Sequence, residues 1–300
     1  MADIRNLDLN LLRALDALLD ERSVTRAALR LRLTQPAVSG TLARLRAAFD
    51  DPLFVRTQRG LLPTPRAADL AEPLKRVLAD AEALVRQPVF DPKTAVGRLS
   101  IVASDYAQRL TVTPFVAQLR RAAPGLSVAV RPLEPARVAA LFEQGQADLA
   151  ILPTTLAPPH LHARRLLDDR YVLAMRADHP SASRKPLTIE AFLGLEHALV
   201  SPDGGGYRGP VDEALAAMGL SRRVAASVPS FLGLMDLLRA SDLVAAVPER
   251  LVHVAPDLLA CELPVATPGF TMVAAWHART HLDPGHRWMR EQLISAAAGA

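Results

Sequence analysis

Cysteine is nearly absent from this sequence, because Cys261 is the only one in 300 residues. A single thiol cannot form an internal disulfide and cannot supply a CxxC metal or redox motif. The sequence also lacks a long apolar run and a secretory signal pattern, since residues 1–6 lead directly into an amphipathic stretch. These absences argue against a disulfide-stapled secreted scaffold and a membrane-spanning protein, and they predict a cytoplasmic location.

Aromatic residues make up 4% of the chain and charged residues 22%, whereas 50% of the residues are hydrophobic. This is the composition of an ordinary globular protein, and the length is sufficient for two or three domains. The net charge of +4 is modest. Residues 23–66, however, contain eight arginines against two acidic residues, Asp50 and Asp51, which is typical of a surface that faces nucleic-acid phosphates.

A helix-turn-helix is predicted between Ser23 and Phe49. The apolar residues of its first helix recur at helical spacing, at Val24, Ala27, Ala28 and Leu31. Thr34 can cap the second helix with its hydroxyl, and Pro36 suits the first turn, where its missing N–H costs nothing. The second helix has an apolar stripe of Val38, Leu42 and Leu45. Its outer face is polar, as expected of a helix that enters a DNA major groove.

A short hairpin is predicted after this motif, within residues 51–62, with a turn at Gln58-Arg59-Gly60. A hairpin in this place is a wing, and Arg56 and Arg59 near its tip could reach phosphates or the minor groove; the alternative is a solvated loop. On the second helix, Gln35 could pair with an adenine edge, and Arg44 could read guanine or hold a phosphate. The candidates for DNA contact are Ser23, Thr34, Gln35, Pro36, Ser39, Thr41, Arg44, Arg56 and Arg59.

A long helix is predicted from Thr64-Pro65 to about Arg86, although Pro73 inside it should remove one hydrogen bond and kink it. Its apolar residues keep a heptad-like spacing at Ala67, Leu70, Ala71, Leu74, Val77, Leu78, Ala81, Leu84 and Val85. Such a stripe packs either on the protein's own core or, as we favour, on the same helix of a second chain. Two-fold pairing would allow two helix-turn-helix motifs to read two half-sites.

Short apolar strands alternate with helices after a linker at 87–97, which predicts parallel α/β sheets. One of these helices should begin at Thr113-Pro114. A second set of elements begins near residue 162, and the last strand and helix return to the first set. Two such lobes form a cleft, with ligands expected at the carboxyl ends of the strands.

The predicted fold class is therefore α/β, in two lobes, with an N-terminal all-α winged helix-turn-helix. The expected divisions are a DNA-binding domain at 1–63, a linker helix and hinge at 64–92, and an effector domain at 93–300, of which lobe I takes about 93–161 and 266–300 and lobe II about 162–265.

Several residues at predicted strand ends and helix starts are candidates for binding a small molecule in the cleft. Ser104 is the best single candidate, since a hydroxyl beside helix-start N–H groups suits a carboxylate. Phe231 could stack on an aromatic ring or belong to the core. Glycines 204–206 resemble a phosphate loop, but no Lys-Ser/Thr follows, so a cleft loop is the better interpretation. The candidates are Ser104, Asp105, Tyr106, Thr154, Ser201, Phe231 and Pro248.

No catalytic set, metal site or cofactor is predicted. Two groups of histidines could ligate a metal, but neither has a supporting cysteine or acidic pattern, so surface or cleft-lining histidines are the better interpretation. The two groups are His160 and His162, and His277, His281 and His286. An enzyme or a solute-binding module that uses the cleft is a minor alternative, because no nucleophile–base pair stands out and the first 90 residues would be unexplained.

The chain resembles LysR-type transcriptional regulators over its full length. The most specific match is Leu33–Ser39, followed by Leu42, Leu45, Arg46 and residues 51–56, and the opening at 6–12 fits too. The resemblance implies a winged helix-turn-helix that binds double-stranded DNA and a linker helix that dimerises through residues 64–86. It also implies an effector domain like type 2 periplasmic binding proteins, and assembly into tetramers.

The C-terminal half resembles a subgroup that includes regulators answering to aromatic compounds. The matching segments are His179-Pro180, 219–224, 228–231 and 283–290. The resemblance implies a small-molecule co-inducer such as an aromatic acid, and the alternative is a regulator that needs no ligand. Gly40 departs from the family pattern, because many members carry a larger polar or basic residue there, and glycine supplies no base contact.

Replacing Gln35 with alanine tests base readout by the second helix. Because the amide pairs with one base, we expect Gln35→Ala to cost about 1–3 kcal/mol on the DNA upstream of the gene and little on random duplex. Fluorescence anisotropy titrations with both duplexes measure this. An equal loss on both would make Gln35 a residue that positions the helix and does not read sequence.

Overall fold

The computed structural model describes residues 8–58, 60–85, 89–183, 186–202 and 204–298. The chain divides into two units, Met1–Pro88 and Val89–Ala300. Within the described ranges, no helix has both the length and the apolar character needed to cross a bilayer.

The first unit contains the predicted helix-turn-helix, the hairpin and the long helix. Its elements are α1 (Leu9–Glu21), α2 (Val24–Leu31), α3 (Gln35–Phe49), β1 (Phe54–Thr57), β2 (Gly60–Pro63) and α4 (Pro65–Val85). Side chains cap the first three helices: Asp8 accepts from the Asn10 N–H, Ser23 from the Arg26 N–H and Thr34, as the sequence predicts, from the Ala37 N–H. Helix α4 is continuous over 21 residues and includes Pro73.

The core of the first unit lies where α1, α2 and α3 meet. Its buried residues include Leu11, Leu15 and Leu18 from α1, Ala27 and Ala28 from α2, and Val38, Leu42 and Leu45 from α3. Helix α4 adds Ala67 and Leu74 to this core. The expected apolar stripe of α3 is therefore buried, which leaves the opposite face of α3 outside.

The base and the turn of the hairpin are both fixed to the rest of the unit. Asp51 Oδ1 accepts hydrogen bonds from the Leu53 N–H at 2.6 Å and from the Thr64 hydroxyl at 2.8 Å. At the turn, Gly60 has a φ of +119°, and a side chain there would meet the carbonyl oxygen of Arg22 at 2.7 Å. Only glycine fits this close approach, so the hairpin lies directly against the connection between α1 and α2.

The second unit is built from strands that alternate with helices. In chain order its elements are β3 (Gly97–Ala103), α5 (Asp105–Ala107), α6 (Thr113–Ala122), β4 (Leu126–Pro132), α7 (Val138–Glu143), β5 (Leu149–Pro153), β6 (His162–Asp169), β7 (Tyr171–Arg176), α8 (Ile189–Leu193), β8 (Glu196–Val200), α9 (Pro210–Ala217), β9 (Arg223–Val228), α10 (Phe231–Arg239), β10 (Val244–Pro248), α11 (Glu249–His253), β11 (Leu258–Cys261), β12 (Phe270–Trp276) and α12 (Pro284–Ala298).

These strands form two five-stranded sheets, one in each lobe. The order is β4-β3-β5-β12-β6 in the first lobe and β11-β7-β10-β8-β9 in the second. Both sheets are mixed, whereas we expected parallel sheets: β12 is antiparallel to β5 and β6, and β7 is antiparallel to β10 and β11. Strand β7 directly follows the first crossing between lobes, and β12 follows the second.

The lobe boundary differs from the sequence expectation. We expected lobe II to begin near residue 162, but β6 is the edge strand of the first sheet, paired with β12 along its whole length. The first half of β6 is exposed, and its sequence carries charge where a core strand would carry apolar residues. The chain therefore crosses to the second lobe at Arg170, between β6 and β7.

The helix expected to start at Thr113 begins earlier. Ser104 caps α5, and a π-helical turn at Gln108–Val112 joins α5 to α6. The Thr113 hydroxyl donates to the Gln108 carbonyl at 2.9 Å and so does not cap a helix start. Because Pro114 has no N–H, the regular hydrogen-bond ladder cannot pass through it, and the wider turn precedes it.

A buried polar group lies in the core of the second lobe. Arg222, with 2% of its side chain exposed, donates to both carboxylate oxygens of Asp212 at 2.8 Å. Beside it His197 is fully buried, with Nε2 at 2.9 Å from the Phe192 carbonyl oxygen. Burial lowers the pKa of His197 to about 4, so this imidazole is neutral at physiological pH.

The pKa of His197 predicts a loss of stability in mild acid. An unfolded histidine has a pKa of about 6.5, so the neutral ring contributes fully above that value, and its contribution falls as the pH drops toward about 4. Between pH 7.5 and 4.5 we expect wild type to lose roughly 2–3 kcal/mol more than His197→Gln. Urea denaturation across this range measures the difference, and the exposed His253→Gln is the control. A loss equal to wild type in His197→Gln would contradict the assignment.

Candidate nucleic-acid interface and ligand cleft

The exposed face of α3 carries the residues predicted to contact bases. Gln35, Pro36 and Ser39 are all exposed, and Gln35 and Ser39 are four residues apart, so they share a face. Thr41 is half-buried and donates its hydroxyl to the Ala37 carbonyl at 2.9 Å, so its proton is already used. Gly40 lies in open space, with no atom within 4 Å of an added Cβ. Position 40 therefore lacks a side chain for base contact because the sequence has glycine there, and not because neighbouring atoms leave no room.

Two other predicted residues act first as helix caps. The hydroxyl oxygens of Ser23 and Thr34 each accept a backbone N–H at 3.4 Å. These bonds fix where α2 and α3 begin. Each hydroxyl keeps its proton for donation, so a phosphate contact from either side chain is compatible with its capping role.

Fewer arginines of residues 23–66 are available to bind phosphates than the sequence suggests. Arg26 pairs with Glu21, and Arg30 pairs with Asp16 and with Asp20, the latter at 2.7 Å. Arg46 is also bonded within the first unit, as the next paragraph describes, so three of the eight arginines have partners there. The acidic partners lie on α1, outside the segment over which the charge was counted.

Arg46 supports the interface without being part of the predicted contact set. Its guanidinium donates to the Pro52 carbonyl at 2.8 Å and to the Phe54 carbonyl at 3.0 Å. These bonds join the last turns of α3 to the start of the hairpin. The sequence signal was the rigid Pro52 turn six residues after an arginine, which brings free carbonyl groups within its reach.

The remaining predicted arginines differ in their surroundings. Arg56 is exposed on β1. Arg44 is exposed and lies 3.9 Å from Asp8, a distance that leaves its guanidinium largely available. Arg59 lies outside the described residues.

A cavity of about 450 Å³ opens between the two lobes of the second unit. Three of the seven candidates from the sequence line it: Ser104 and Asp105 from the first lobe, and Phe231 from the second. They come together because Ser104 follows β3 and Phe231 starts α10. The carboxyl ends of strands are thus the mouth of the cleft, as expected for sheets of this kind.

Asp105 joins the two lobes across this cavity. Its Oδ2 accepts a hydrogen bond from the Ser230 hydroxyl at 2.7 Å and another from the Leu232 N–H at 2.9 Å. Its Oδ1 accepts from the Tyr106 N–H at 2.9 Å. The carboxylate therefore occupies the N-terminus of α10, where the helix dipole favours negative charge.

The other four candidates do not line this cavity. Tyr106 is buried, and its hydroxyl donates to Asp169 Oδ2 at 2.7 Å, so burial and this bond raise its pKa above the usual range. Thr154 donates to the Thr271 carbonyl at 3.1 Å. Ser201 accepts from the Gly206 N–H at 3.0 Å, and Pro248 is buried at the start of α11. Each therefore serves the surrounding backbone or core.

Three polar residues of the cavity were not among the sequence candidates. Gln108 belongs to the π-helical turn, Ser230 caps α10, and Arg131 lies on β4. Arg131 donates through Nε to the Ser100 hydroxyl at 3.2 Å, which leaves its terminal nitrogens for a ligand. The signal for Arg131 was its position directly after the strand that the sequence predicts at 126–130.

The histidines form no metal site in the part of the chain that the structure describes, where no group of three or more potential ligands is arranged to hold an ion. His162 and His281 stack with ring centroids 4.2 Å apart, and Trp276 donates its indole N–H to His281 Nδ1 at 3.2 Å. His286 lies 3.9 Å from Asp148.

The fold and these two sites define a class: a winged helix-turn-helix DNA-binding protein with a two-lobed ligand-binding domain. Residues 9–68 match the family model for bacterial regulatory helix-turn-helix proteins of the lysR family, and residues 93–298 match the LysR substrate binding domain. The chain belongs to the LysR family of transcriptional regulators.

Relatives and solved structures agree with this assignment. The chain is 36% identical to the HTH-type transcriptional activator NagR of Ralstonia sp. and 37% identical to the transcriptional activator NahR of Pseudomonas putida, in each case over 97% of this chain and 98% of the relative. A structure of full-length OxyR from Pseudomonas aeruginosa matches 97% of this chain and 100% of that chain, with a TM-score of 0.71 at 19% identity, and so shares the fold.

Removing the Arg46 side chain tests its role in holding the hairpin. We expect Arg46→Ala to lower the free energy of unfolding of the first unit by about 1–3 kcal/mol, because two backbone carbonyls lose a charged donor. DNA affinity should fall by a similar factor on specific and random duplex. Thermal melts and anisotropy titrations measure both effects. Arg46→Lys is the control for charge: it keeps the charge but lacks the forked donors, so full recovery with lysine would refute this role.

Proposed function

We propose that this protein binds two half-sites in promoter DNA as a symmetric oligomer, in the cytoplasm, and that a small carboxylate in the interlobe cleft changes that binding. An aromatic acid is the ligand class we favour. The observation that carries the proposal is that one unit has an exposed polar helix, α3, and the other has a cavity between two lobes that Arg131 lines.

The recognition helix supports sequence-specific binding. Gln35 and Ser39 are exposed together on α3, and helix N-termini with free donors favour contact with phosphates. Arg44 and Arg56 add positive charge on α3 and on the hairpin. Base contacts from α3 would supply specificity, and the arginines would supply most of the salt-dependent affinity.

Helix α4 supports dimerisation. The first part of its apolar stripe packs on its own unit, but Leu84 and Val85 are 88% and 85% exposed. A groove of about 580 Å³ between α1 and α4 includes Leu78 and Val85. A second copy of α4 would cover this apolar surface and place two recognition helices on one duplex, and pairing of two dimers would give the tetramer that the family resemblance implies.

The cavity supports a small carboxylate ligand. Its volume falls within the range of roughly 300–1,000 Å³ that is common for ligand sites. Arg131 supplies positive charge, Ser104 a hydroxyl and Phe231 an aromatic ring. The described lining residues include no histidine or cysteine.

Footprinting on DNA upstream of the gene, with and without benzoate and related acids, tests the proposal. We expect protection of two half-sites and a change in the footprint when an acid binds. Equal affinity for this DNA and for random duplex would overturn the proposal. A specific footprint that no small carboxylate alters would instead favour a regulator that needs no ligand.

Arg131→Ala tests the cationic end of the cavity. Because a hydrogen bond to a charged group contributes about 1.5–3 kcal/mol, we expect acid binding to weaken by roughly 10- to 100-fold. The footprint without ligand should be unchanged. Calorimetric titration with benzoate measures the effect. Arg137→Ala removes the same charge from an exposed site outside the cavity and should bind benzoate as wild type does; equal weakening in both variants would show a general effect of charge.

A further inference from the structure

The cavity holds two opposite charges on its described lining. Arg131 and Asp105 are its charged lining residues among those that the structure describes. Asp105 does not offer its carboxylate to the cavity as a free acceptor, because three hydrogen bonds already engage it, from the Ser230 hydroxyl and from the N–H groups of Tyr106 and Leu232. It therefore presents negative charge to a ligand while its own requirements are met.

Three consecutive backbone N–H groups near the start of α10 are already engaged. The Leu232 N–H donates to Asp105, the Gly233 N–H to the Ser230 hydroxyl oxygen at 3.0 Å, and the Leu234 N–H to the Ser230 carbonyl at 2.9 Å. This helix N-terminus would suit an anion, but an anion of the protein already occupies it. A ligand carboxylate would have to compete with Asp105 for the Leu232 N–H.

A ligand with one carboxylate can place it at Arg131 and leave its apolar body near Phe231. A second carboxylate directed toward the other lobe would meet the Asp105 carboxylate, and like charges brought together in a partly desolvated site repel strongly. Selectivity of this kind comes from an unfavourable contact with the wrong ligand as much as from a favourable one with the right ligand.

We propose that Asp105 is a specificity-determining residue that takes the place of a second ligand carboxylate at α10 and so makes the cleft selective for monocarboxylates over dicarboxylates. The inference rests on the proposed function, since it assumes that the cleft receives carboxylates. It goes beyond that proposal by assigning the number of carboxylates on the ligand and the residue that selects for this number.

Three variants separate charge, hydrogen bonding and nonspecific effects. Asp105→Ala removes the carboxylate and releases the Leu232 N–H and the Ser230 hydroxyl for a ligand. Asp105→Asn removes the charge, but its amide oxygen can still accept both bonds from the second lobe, so it keeps the lobes joined. Asp236→Asn is the matched control, because this acid also lies on α10, is 77% exposed and pairs with Arg239 away from the cavity.

The test is calorimetric titration of full-length wild type and the three variants with benzoate and with phthalate, which has the same ring and a second carboxylate. We expect phthalate to bind wild type at least tenfold more weakly than benzoate. In Asp105→Ala the affinity for phthalate should rise at least tenfold while that for benzoate stays within about threefold, and Asp105→Asn should fall between. Asp236→Asn should match wild type.

The outcomes separate this inference from the proposed function. If phthalate gains no affinity in Asp105→Ala and Asp105→Asn, or if both acids change in parallel, the inference is overturned, because Asp105 then only holds the lobes together. The proposed function stands in that case if benzoate still binds wild type and alters the footprint. If benzoate binds neither wild type nor any variant while phthalate binding appears in Asp105→Ala, the assignment of Asp105 is supported and the favoured ligand is wrong.

Discussion

The cleft depends on one buried hydrogen bond, from the Tyr106 hydroxyl to Asp169. Tyr106 follows the first strand of the second unit, and Asp169 ends the strand from which the chain crosses to the other lobe. Around this bond, Tyr106 packs against Phe231 at 6.0 Å and against Phe270 at 5.8 Å between ring centroids. The Tyr106 side chain, at the start of α5, thus contacts both β6, from which the chain crosses between the lobes, and Phe231 of the opposite lobe. Because it is buried and satisfied, it fixes the backbone on which Ser104 and Asp105 present themselves to a ligand.

The polar residues at the cleft differ in whether their side chains are already hydrogen-bonded within the protein. The Tyr106 hydroxyl is bonded to Asp169 and the Asp105 carboxylate to the start of α10, whereas the terminal nitrogens of Arg131 remain available. The available positive charge, that of Arg131, lies on the first lobe. On the second lobe, the N-terminus of α10 is already bonded to the Asp105 carboxylate. A ligand that changes the equilibrium between two lobe arrangements must bind one arrangement more tightly than the other. The unequal distribution of charge between the lobes can produce this difference in ligand affinity.

Local sequence patterns predicted the helix-turn-helix well, because its caps and buried stripe are short-range features: Thr34 caps α3 as its position suggests, and Val38 and Leu42 are buried. The sequence could not place β6, since an exposed edge strand does not need apolar alternation. It also could not distinguish Ser104 from Tyr106 as cleft residues, because adjacent positions at a helix start point in different directions and only the packed lobes decide which faces the cavity. Arg131 was overlooked for a related reason: its role depends on the strand ending beside the other lobe.

We propose that ligand binding in the cleft of the second unit and DNA binding by α3 of the first are coupled. Coupling of this kind is reciprocal, because a ligand that changes DNA affinity by some factor must have its own affinity changed by the same factor when DNA is bound. The most direct measurement is titration of benzoate into the protein alone and into the protein saturated with its operator. We expect the two benzoate affinities to differ by the same factor by which benzoate changes the affinity for the operator. Identical benzoate affinities with and without DNA, where benzoate binds both, would contradict it.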